Sequence, residues 1–297
     1  MEKIILFYKF VPVADPETAM HWQRELASNH GLKGRIIISQ HGINATLGGQ
    51  VKSLKEYVKA MKQHSSFKDT QFKWSKGGAQ DFPRLSVKVR PEIVTFGVPD
   101  EVEINEDGVA GGGKHITPAQ VHKLKEKYGD ELTFMDGRNA YEAEIGRFKG
   151  AIVPNTKTTR DFIDELEKPA MQAVKQKPIV TYCTGGIRCE ILTSMMKKRG
   201  FKEVYQINGG IHKYGEEFKD DGLWEGKMYV FDKRMNVAFS EKAKDIGQCL
   251  HCQASTSHYE NCGYNFCSKL LLICEQCAAD GAFCNADCRA QLAIAGE

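Results

Sequence analysis

The sequence predicts a multidomain α/β protein: an N-terminal ferredoxin-like α+β domain, a central doubly wound parallel sheet and a small cysteine-rich C-terminal segment. Three observations predict it. Residues 1–100 run strand–helix–strand–strand–helix–strand. Residues 117–232 alternate short apolar strands with helices. Eight of the ten cysteines fall between Cys249 and Cys288. A chain of 297 residues has room for two or three domains.

The apolar run over 3–10 is the first strand; it lacks a small-residue cleavage site, so a signal peptide is not expected. Residues 16–30 form an amphipathic helix with Pro16 just inside its start. Strands follow over 34–39 and 43–47, then a helix over 51–64. The run 85–90 (LSVKVR) alternates with period two and closes the β-α-β-β-α-β unit. Such a fold says little about function, and charge says more. Between Lys33 and Arg90 stand twelve Lys/Arg against three Asp/Glu, inside a chain whose net charge is only +3. A single helical lysine is normally solvated, but a whole segment so biased predicts a polyanion, because several phosphates must be neutralised on one surface. Lys52, Lys55, Lys59 and Lys62 share a helix face by their spacing, and Arg84, Lys88 and Arg90 flank or occupy the strand after it; these are the candidate RNA contacts.

Residues 100–107 turn acidic and 108–113 are glycine-rich, so 101–116 reads as a linker. Within it, Gly108-Val-Ala-Gly-Gly-Gly113-Lys114-His115 falls one residue short of a phosphate-binding G-x-x-x-x-G-K-[ST] loop. His115 stands where a hydroxyl must hold Mg²⁺, and 101–107 is too acidic for the buried strand that precedes such a loop. No nucleotide cofactor is expected. Nor is a membrane span, since no run reaches the roughly 18 apolar residues one needs; a cytoplasmic location is expected, and nothing in the sequence sets an oligomeric state.

Thr117 caps a helix that has Pro118 at its first position and runs to Tyr128. Strands over 132–135, 178–182 and 203–207 alternate with helices over 159–174 and 189–199. This implies a parallel sheet covered on both faces, with ligands beyond the carboxyl ends of its strands. Cys183 lies at such an end. In Cys183-Thr184-Gly185-Gly186-Ile187-Arg188-Cys189 the glycines let the backbone curl until successive N–H groups face one anionic centre at a helix N-terminus. A thiol there, with Arg188 nearby, has a lowered pKa and is a nucleophile. A cysteine that merely packs as a small hydrophobe needs none of these neighbours.

The loop resembles the rhodanese signature C-x-x-G-x-R. Phe134-Met-Asp136-Gly-Arg138 resembles the D-x-R strand end of rhodaneses, and Glu142 followed by Gly146-Arg-Phe-Lys-Gly150-Ala-Ile resembles their next stretch. Asn208-Gly209-Gly210 is similar to their late glycine turn. The resemblance covers 117–229 and implies that Cys183 is the catalytic cysteine, able to carry a persulfide, with Asp136 and Arg138 as supporting framework residues. Phosphatases sharing that fold space the pair as C-x(5)-R; the C-x(4)-R of this chain makes a tighter loop, suited to sulfur or a planar electrophile. Cys189 departs from the Ser or Thr usual after the arginine. Packing is its expected role, since a disulfide across so compact a loop has poor geometry; a resolving thiol is the alternative.

His41-Gly-Ile-Asn-Ala-Thr-Leu-Gly-Gly49, Phe82-Pro-Arg-Leu-Ser-Val-Lys-Val-Arg90 with Glu92-Ile-Val-Thr-Phe-Gly97, and the Cys183 loop with the cysteine-rich tail together resemble the rhodanese-domain tRNA uridine hydroxylases over residues 1–290. That implies oxygen-dependent conversion of a wobble uridine in tRNA to 5-hydroxyuridine. Molecular oxygen is then the co-substrate, tRNA the partner, and the N-terminal domain an acylphosphatase-like RNA-binding unit. The residues constrain mechanism less. No dinucleotide fingerprint or two-His-one-carboxylate iron site is legible. A thiolate can add to C6 of uracil and make C5 electron-rich, while a persulfide acting as reductant or sulfur donor needs the same cysteine. Either requires an unstacked base. A thiosulfate or persulfide sulfurtransferase is the alternative enzyme, against which the basic domain argues. A non-catalytic tRNA-binding protein is the third reading, against which the thiol loop argues.

Cys249-x2-Cys252, Cys262-x4-Cys267, Cys274-x2-Cys277 and Cys284-x3-Cys288 are four pairs at knuckle spacing, enough for two tetrahedral four-cysteine zinc sites. A long chain without a leader favours reduced, metal-binding cysteines over a disulfide framework. Which pairs share an ion is not legible, and His251 and His258 are spare candidate ligands.

Overall fold

The computed structural model describes residues 1–295, with side chains to Gln291. The N-terminal unit comprises β1 (Glu2–Phe10), α1 (Pro16–Asn29), β2 (Lys33–Ser39), β3 (Gly42–Gln50), α2 (Val51–Gln63), β4 (Gln71–Ser75) and β5 (Leu85–Val89). Asp15 caps α1, its carboxylate accepting from the Thr18 amide, and Pro16 occupies the first turn. The strands lie in the order β4-β1-β3-β2-β5. The strand that closes the expected β-α-β-β-α-β unit is therefore β4, antiparallel to β1, and not the 85–90 run. β5 is a fifth strand added at the opposite edge, parallel to β2. β4 alternates polar and apolar residues, with Phe72 and Trp74 packed on the N-terminal core and Lys73 on the other face. At five residues with only two apolar ones, it is too short to stand out in the sequence.

The sheet is covered on both faces. Helix α2 sets Leu54, Tyr57 and Met61 against Ile5 and Phe7 in one core. The alternate residues Tyr8 and Phe10, with Ile37, face the central unit and pack beside Ile93 and Phe96 in a second core.

That unit begins with the hairpin β6 (Ile104–Asn105) and β7 (Gly108–Val109), then β8 (Lys114–Ile116), α3 (Pro118–Tyr128), β9 (Thr133–Asp136), α4 (Ala140–Glu144) and β10 (Gly146–Phe148). It continues with α5 (Phe162–Glu167), α6 (Pro169–Gln172), β11 (Pro178–Tyr182), α7 (Ile187–Lys198), β12 (Glu203–Ile207) and α8 (Gly210–Phe218). The sheet β8-β12-β11-β9 is parallel throughout. Three expectations need correction. The single helix over 159–174 is a 3₁₀ turn, α5 and α6, because Pro169 lacks an N–H and turns Lys168 to extended backbone. Helix α7 starts at Ile187, two residues before the expected start. The stretch 101–116 is no free linker: Val102, Ile104 and Val109 join the central core, and β8 pairs with β12. Its glycines serve packing, since a Cβ on Gly113 would stand 2.9 Å from Thr193 Cβ of α7.

The chain ends in β13 (Trp224–Gly226), which pairs with β10, and in the two-stranded pair β14 (Met228–Tyr229) and β15 (Asn236–Val237). The pairs β16 (Gly247–Gln248) with β17 (Ser255–Thr256) and β18 (Tyr259–Asn261) with β19 (Leu270–Leu272) follow, then α9 (Glu275–Ala279) and α10 (Ala286–Ala295). Tyr259 docks this tail on α4: it packs with Ile145, Tyr229 and Leu272, and its hydroxyl donates to the Tyr141 carbonyl at 2.6 Å. Among the described residues no helix is long and apolar enough to cross a membrane.

Candidate active site

Cys183 directly follows β11, the central strand that hydrogen bonds to β12 and β9, and is 0% exposed. The Gly186 amide donates to its Sγ at 3.2 Å. Gly186 sits at φ +102° as the cap of α7, a conformation a side chain would strain. Gly185 packs close to β1, where a Cβ would lie 2.8 Å from Leu6 Cδ2 and the Leu6 side chain would have to turn aside. The amides of Ile211 and His212, at the start of α8, donate to the carbonyls of Cys183 and Thr184 and fix the loop from the other side.

Burial alone would push the Cys183 thiol up. The Cys189 thiol, the Arg188 charge and the Cys189 and Arg188 amides outweigh it and bring the pKa down to about 6. Cys189 is correspondingly pushed up by burial and by its bond to Cys183. Cys189 is buried near the start of α7, and its thiol favours the ionised form of Cys183. Cys189→Ala should therefore move the pH midpoint of Cys183 alkylation upward from about 6; an unmoved midpoint would show that Cys189 only packs.

Arg188 is held by a residue outside the loop. Its guanidinium makes a two-pronged pair with Glu142 of α4 (2.5 and 2.8 Å), and Nη2 also donates to Thr184 Oγ1 at 3.2 Å. Ile187 begins α7 and packs at the edge of the central core. Asp136 and Arg138 are both fully buried. Arg138 forks onto Asp136 (2.8 and 2.6 Å) and donates to the carbonyls of Glu142 and Gly146. They support α4, and so Glu142, from beneath.

The N-terminal sheet reaches this loop directly. Lys73 of β4 donates to the Gly185 carbonyl at 2.7 Å, and burial pulls its pKa down to about 8. Tyr8 of β1 donates to Glu190 of α7 at 2.9 Å. Sequence reasoning counted Lys73 only within a charge sum and gave Glu142 no partner. A charge bias does not say which cation is buried, and Glu142 and Arg188 are 46 residues apart.

The candidate RNA residues are divided. Lys52, Lys55, Lys59 and Lys62 are exposed on α2, which covers the sheet face turned away from the Cys183 loop. Lys88 pairs in register with Ile37 and so shares the loop-side face, as does exposed Arg35, in register with Thr46 and through it Leu6. Arg84 and Arg90 are exposed at the two ends of β5.

The tail cysteines gather in two sets that interleave along the chain: Cys249, Cys252, Cys274 and Cys277, and Cys262, Cys267, Cys284 and Cys288. Within each set the sulfurs lie within 4.8 Å of one another. The neighbouring sulfurs Cys252–Cys274, Cys267–Cys284 and Cys284–Cys288 stand at 3.6, 3.8 and 3.4 Å. A tetrahedron of Zn–S bonds of about 2.3 Å has edges of about 3.8 Å, so both sets fit zinc. His251 and His258 lie outside both sets, with ring nitrogens at the carbonyls of Phe283 and Ile273.

A cysteine at a strand's carboxyl end, bonded to the Gly186 amide at a helix N-terminus beside a glutamate-locked arginine, defines a rhodanese-type thiol domain. Residues 117–217 match the family model described as Rhodanese-like domain, 2–93 the UPF0176 acylphosphatase like domain, and 225–289 the Rhodanase C-terminal. The chain is 55% identical over 286 residues to a tRNA uridine(34) hydroxylase of Corynebacterium urealyticum, covering 96% of each. It is 56% identical over 282 residues to that of Arthrobacter sp. strain FB24, covering 94% of this chain and 95% of the relative. The chain belongs to the tRNA uridine(34) hydroxylase family.

Proposed function

We propose that this chain hydroxylates C5 of the wobble uridine of tRNA, with Cys183 as the nucleophile and dioxygen as co-substrate. The observation that carries the reading is the join between the two halves: the basic N-terminal sheet lies on the thiolate loop, with Lys73 bonded to Gly185. A polyanion held by one half therefore presents its bases to the other.

The thiolate adds to C6; its electron pair forms the C–S bond and the C5=C6 pair moves onto C5 and the C4 carbonyl oxygen. Dioxygen takes up that pair at C5. A two-electron donor of the thiol class then reduces the distal oxygen to water, leaving the hydroxyl on C5. Loss of the C5 proton and departure of Cys183 restore the double bond and the thiolate. The loop amides and Arg188 keep Cys183 ionised for this addition. Nucleoside mass spectrometry of tRNA from cells lacking the protein tests the reading: 5-hydroxyuridine derivatives should fall, and purified protein with tRNA, dioxygen and a thiol should restore them. Unchanged derivatives together with an inactive purified protein would sink it.

The tRNA surface runs over the exposed part of the loop-side face, where Arg35 and Lys88 reach solvent beside the residues packed on the central unit, and not over α2. Arg35→Ala with Lys88→Ala should flatten the log–log salt dependence of tRNA affinity by roughly 0.7 to 0.9 per lost phosphate contact. Replacing Lys52, Lys55, Lys59 and Lys62 together should change it less. A salt series that ranks the two variants the other way assigns the grip to α2.

A further inference from the structure

We propose that Phe231 is the stacking platform for the target pyrimidine, a binding residue that holds the unstacked base beside Arg188 at the mouth of the Cys183 loop; this rests on the reading of the protein as a tRNA uridine hydroxylase.

Phe231 is 54% exposed, although Tyr229 and Val230 just before it are buried. Folding does not require a phenyl ring there, since leaving it in water forgoes the gain of burying it. A loose loop would explain such exposure, but this turn is fixed at several points. The largely buried Asp232 carboxylate receives the Arg234 guanidinium on both oxygens (2.7 and 2.5 Å) and the Arg234 amide at 3.1 Å. Met235 takes the left-handed conformation at φ +61°, its amide donating to the Asp232 carbonyl and its carbonyl accepting from Val230. Two bonds then tie the turn to the N-terminal unit: Arg234 Nη1 to the Lys76 carbonyl at 2.5 Å and the Lys233 amide to the Asp81 carbonyl at 3.1 Å. The chain thus holds an exposed ring rigid at the junction of the basic sheet and the thiol domain.

Its neighbours say what it faces. The ring packs edge-on to Tyr229, with centroids 5.1 Å apart and planes at 78°. The Arg188 guanidinium carbon lies 5.8 Å from its centroid, and Arg188 is also bonded to Thr184 of the catalytic loop. A flat ring fixed next to the active-site arginine and open to solvent suits a flat partner. Of the parts of an RNA, only a base offers one, and only when unstacked from its neighbours. Stacking is tolerant of base identity, so Phe231 supplies hold, not discrimination among bases.

The test uses the full-length protein and a synthetic anticodon stem–loop RNA with uridine at the wobble position. Phe231→Ala should raise Kd and KM by roughly 5- to 150-fold, with kcat at saturating RNA little changed. Phe231→Trp and Phe231→Tyr should return both to within a few-fold of wild type, and Phe231→Leu should stay as weak as Phe231→Ala. The pH midpoint of Cys183 alkylation should be the same in all of them. Wild-type affinity in Phe231→Ala, or full rescue by Phe231→Leu, would overturn the platform, the latter by showing that bulk alone suffices. A wild-type protein that forms no 5-hydroxyuridine overturns the underlying reading instead, so the two failures are told apart.

Discussion

Cys183→Ser should lose hydroxylation by on the order of 10³-fold or more while keeping the fold. The substitution exchanges one small buried atom for another inside a loop built from backbone bonds: Gly186 to Sγ, Ile211 to the Cys183 carbonyl and His212 to the Thr184 carbonyl. The last two do not involve the side chain. The chemical difference is ionisation. With its pKa brought down to about 6 the thiol is largely thiolate at neutral pH, whereas a serine hydroxyl stays protonated in the same cradle. The pH dependence follows with its sign fixed: lowering the pH through 6 protonates the thiolate, so the rate of the wild-type enzyme should fall on the acid side with a midpoint near 6. Single-turnover assays across pH, with the thermal midpoint of each variant, check both statements. Full activity in Cys183→Ser would end the adduct and persulfide mechanisms together. A covalent RNA–protein species trapped on wild type and missing from the variant selects the adduct.

The legibility of this site in the sequence followed chain locality. The loop from Cys183 to Arg188 was readable because a strand end, two glycines, an arginine and a helix start lie within a few residues, and each has a local physical reason to be there. Likewise Thr117 and Pro118 mark the start of α3 by capping chemistry that acts within one turn. What escaped depends on register or on distant pairing. β4 escapes because its period-two pattern spans only five residues with two apolar ones, Phe72 and Trp74. The next strand along the chain, β5 at the opposite edge, then takes its place in the expected topology, which hides that Lys73 faces the loop. The α2 lysines share one helix face as their spacing says, but which sheet face that helix covers is decided by Leu54, Tyr57 and Met61 meeting Ile5 and Phe7. Glu142 shows the same limit. Its place three residues after Asn139 signals a helix cap, and nothing local says that its carboxylate also locks Arg188.

The tail cysteines should hold two zinc ions per chain, and removing them should unfold the tail while leaving the central sheet in place. The apolar core of this segment is small: Leu271, Ile273 and Ala282, beside Cys249 and Cys262. Among the described residues, partly buried Tyr264, Ala278 and Phe283 and the packing of Tyr259 and Leu272 on Ile145 and Tyr229 add to it. Structural zinc sites of this kind contribute a further ~10–16 kcal/mol of apparent binding free energy. The two sets interleave, the first cysteine pair joining the third and the second the fourth. Each ion therefore ties segments on either side of a ligand pair of the other, and losing one should loosen both. Metal analysis should find two zinc equivalents in wild type and fewer than one in Cys274→Ser. His251→Ala and His258→Ala should keep both ions, because those rings bond to the carbonyls of Phe283 and Ile273. Chelation should expose the amides beyond Gly247 to hydrogen exchange while those of β11 and β12 stay protected. Protein purified under reducing, zinc-replete conditions that carries no zinc and keeps its tail protected would refute the assignment. Hydroxylation should fall with the metal as well, since Tyr259 carries the tail onto Tyr141 of α4, the helix whose Glu142 holds Arg188 against the Cys183 loop.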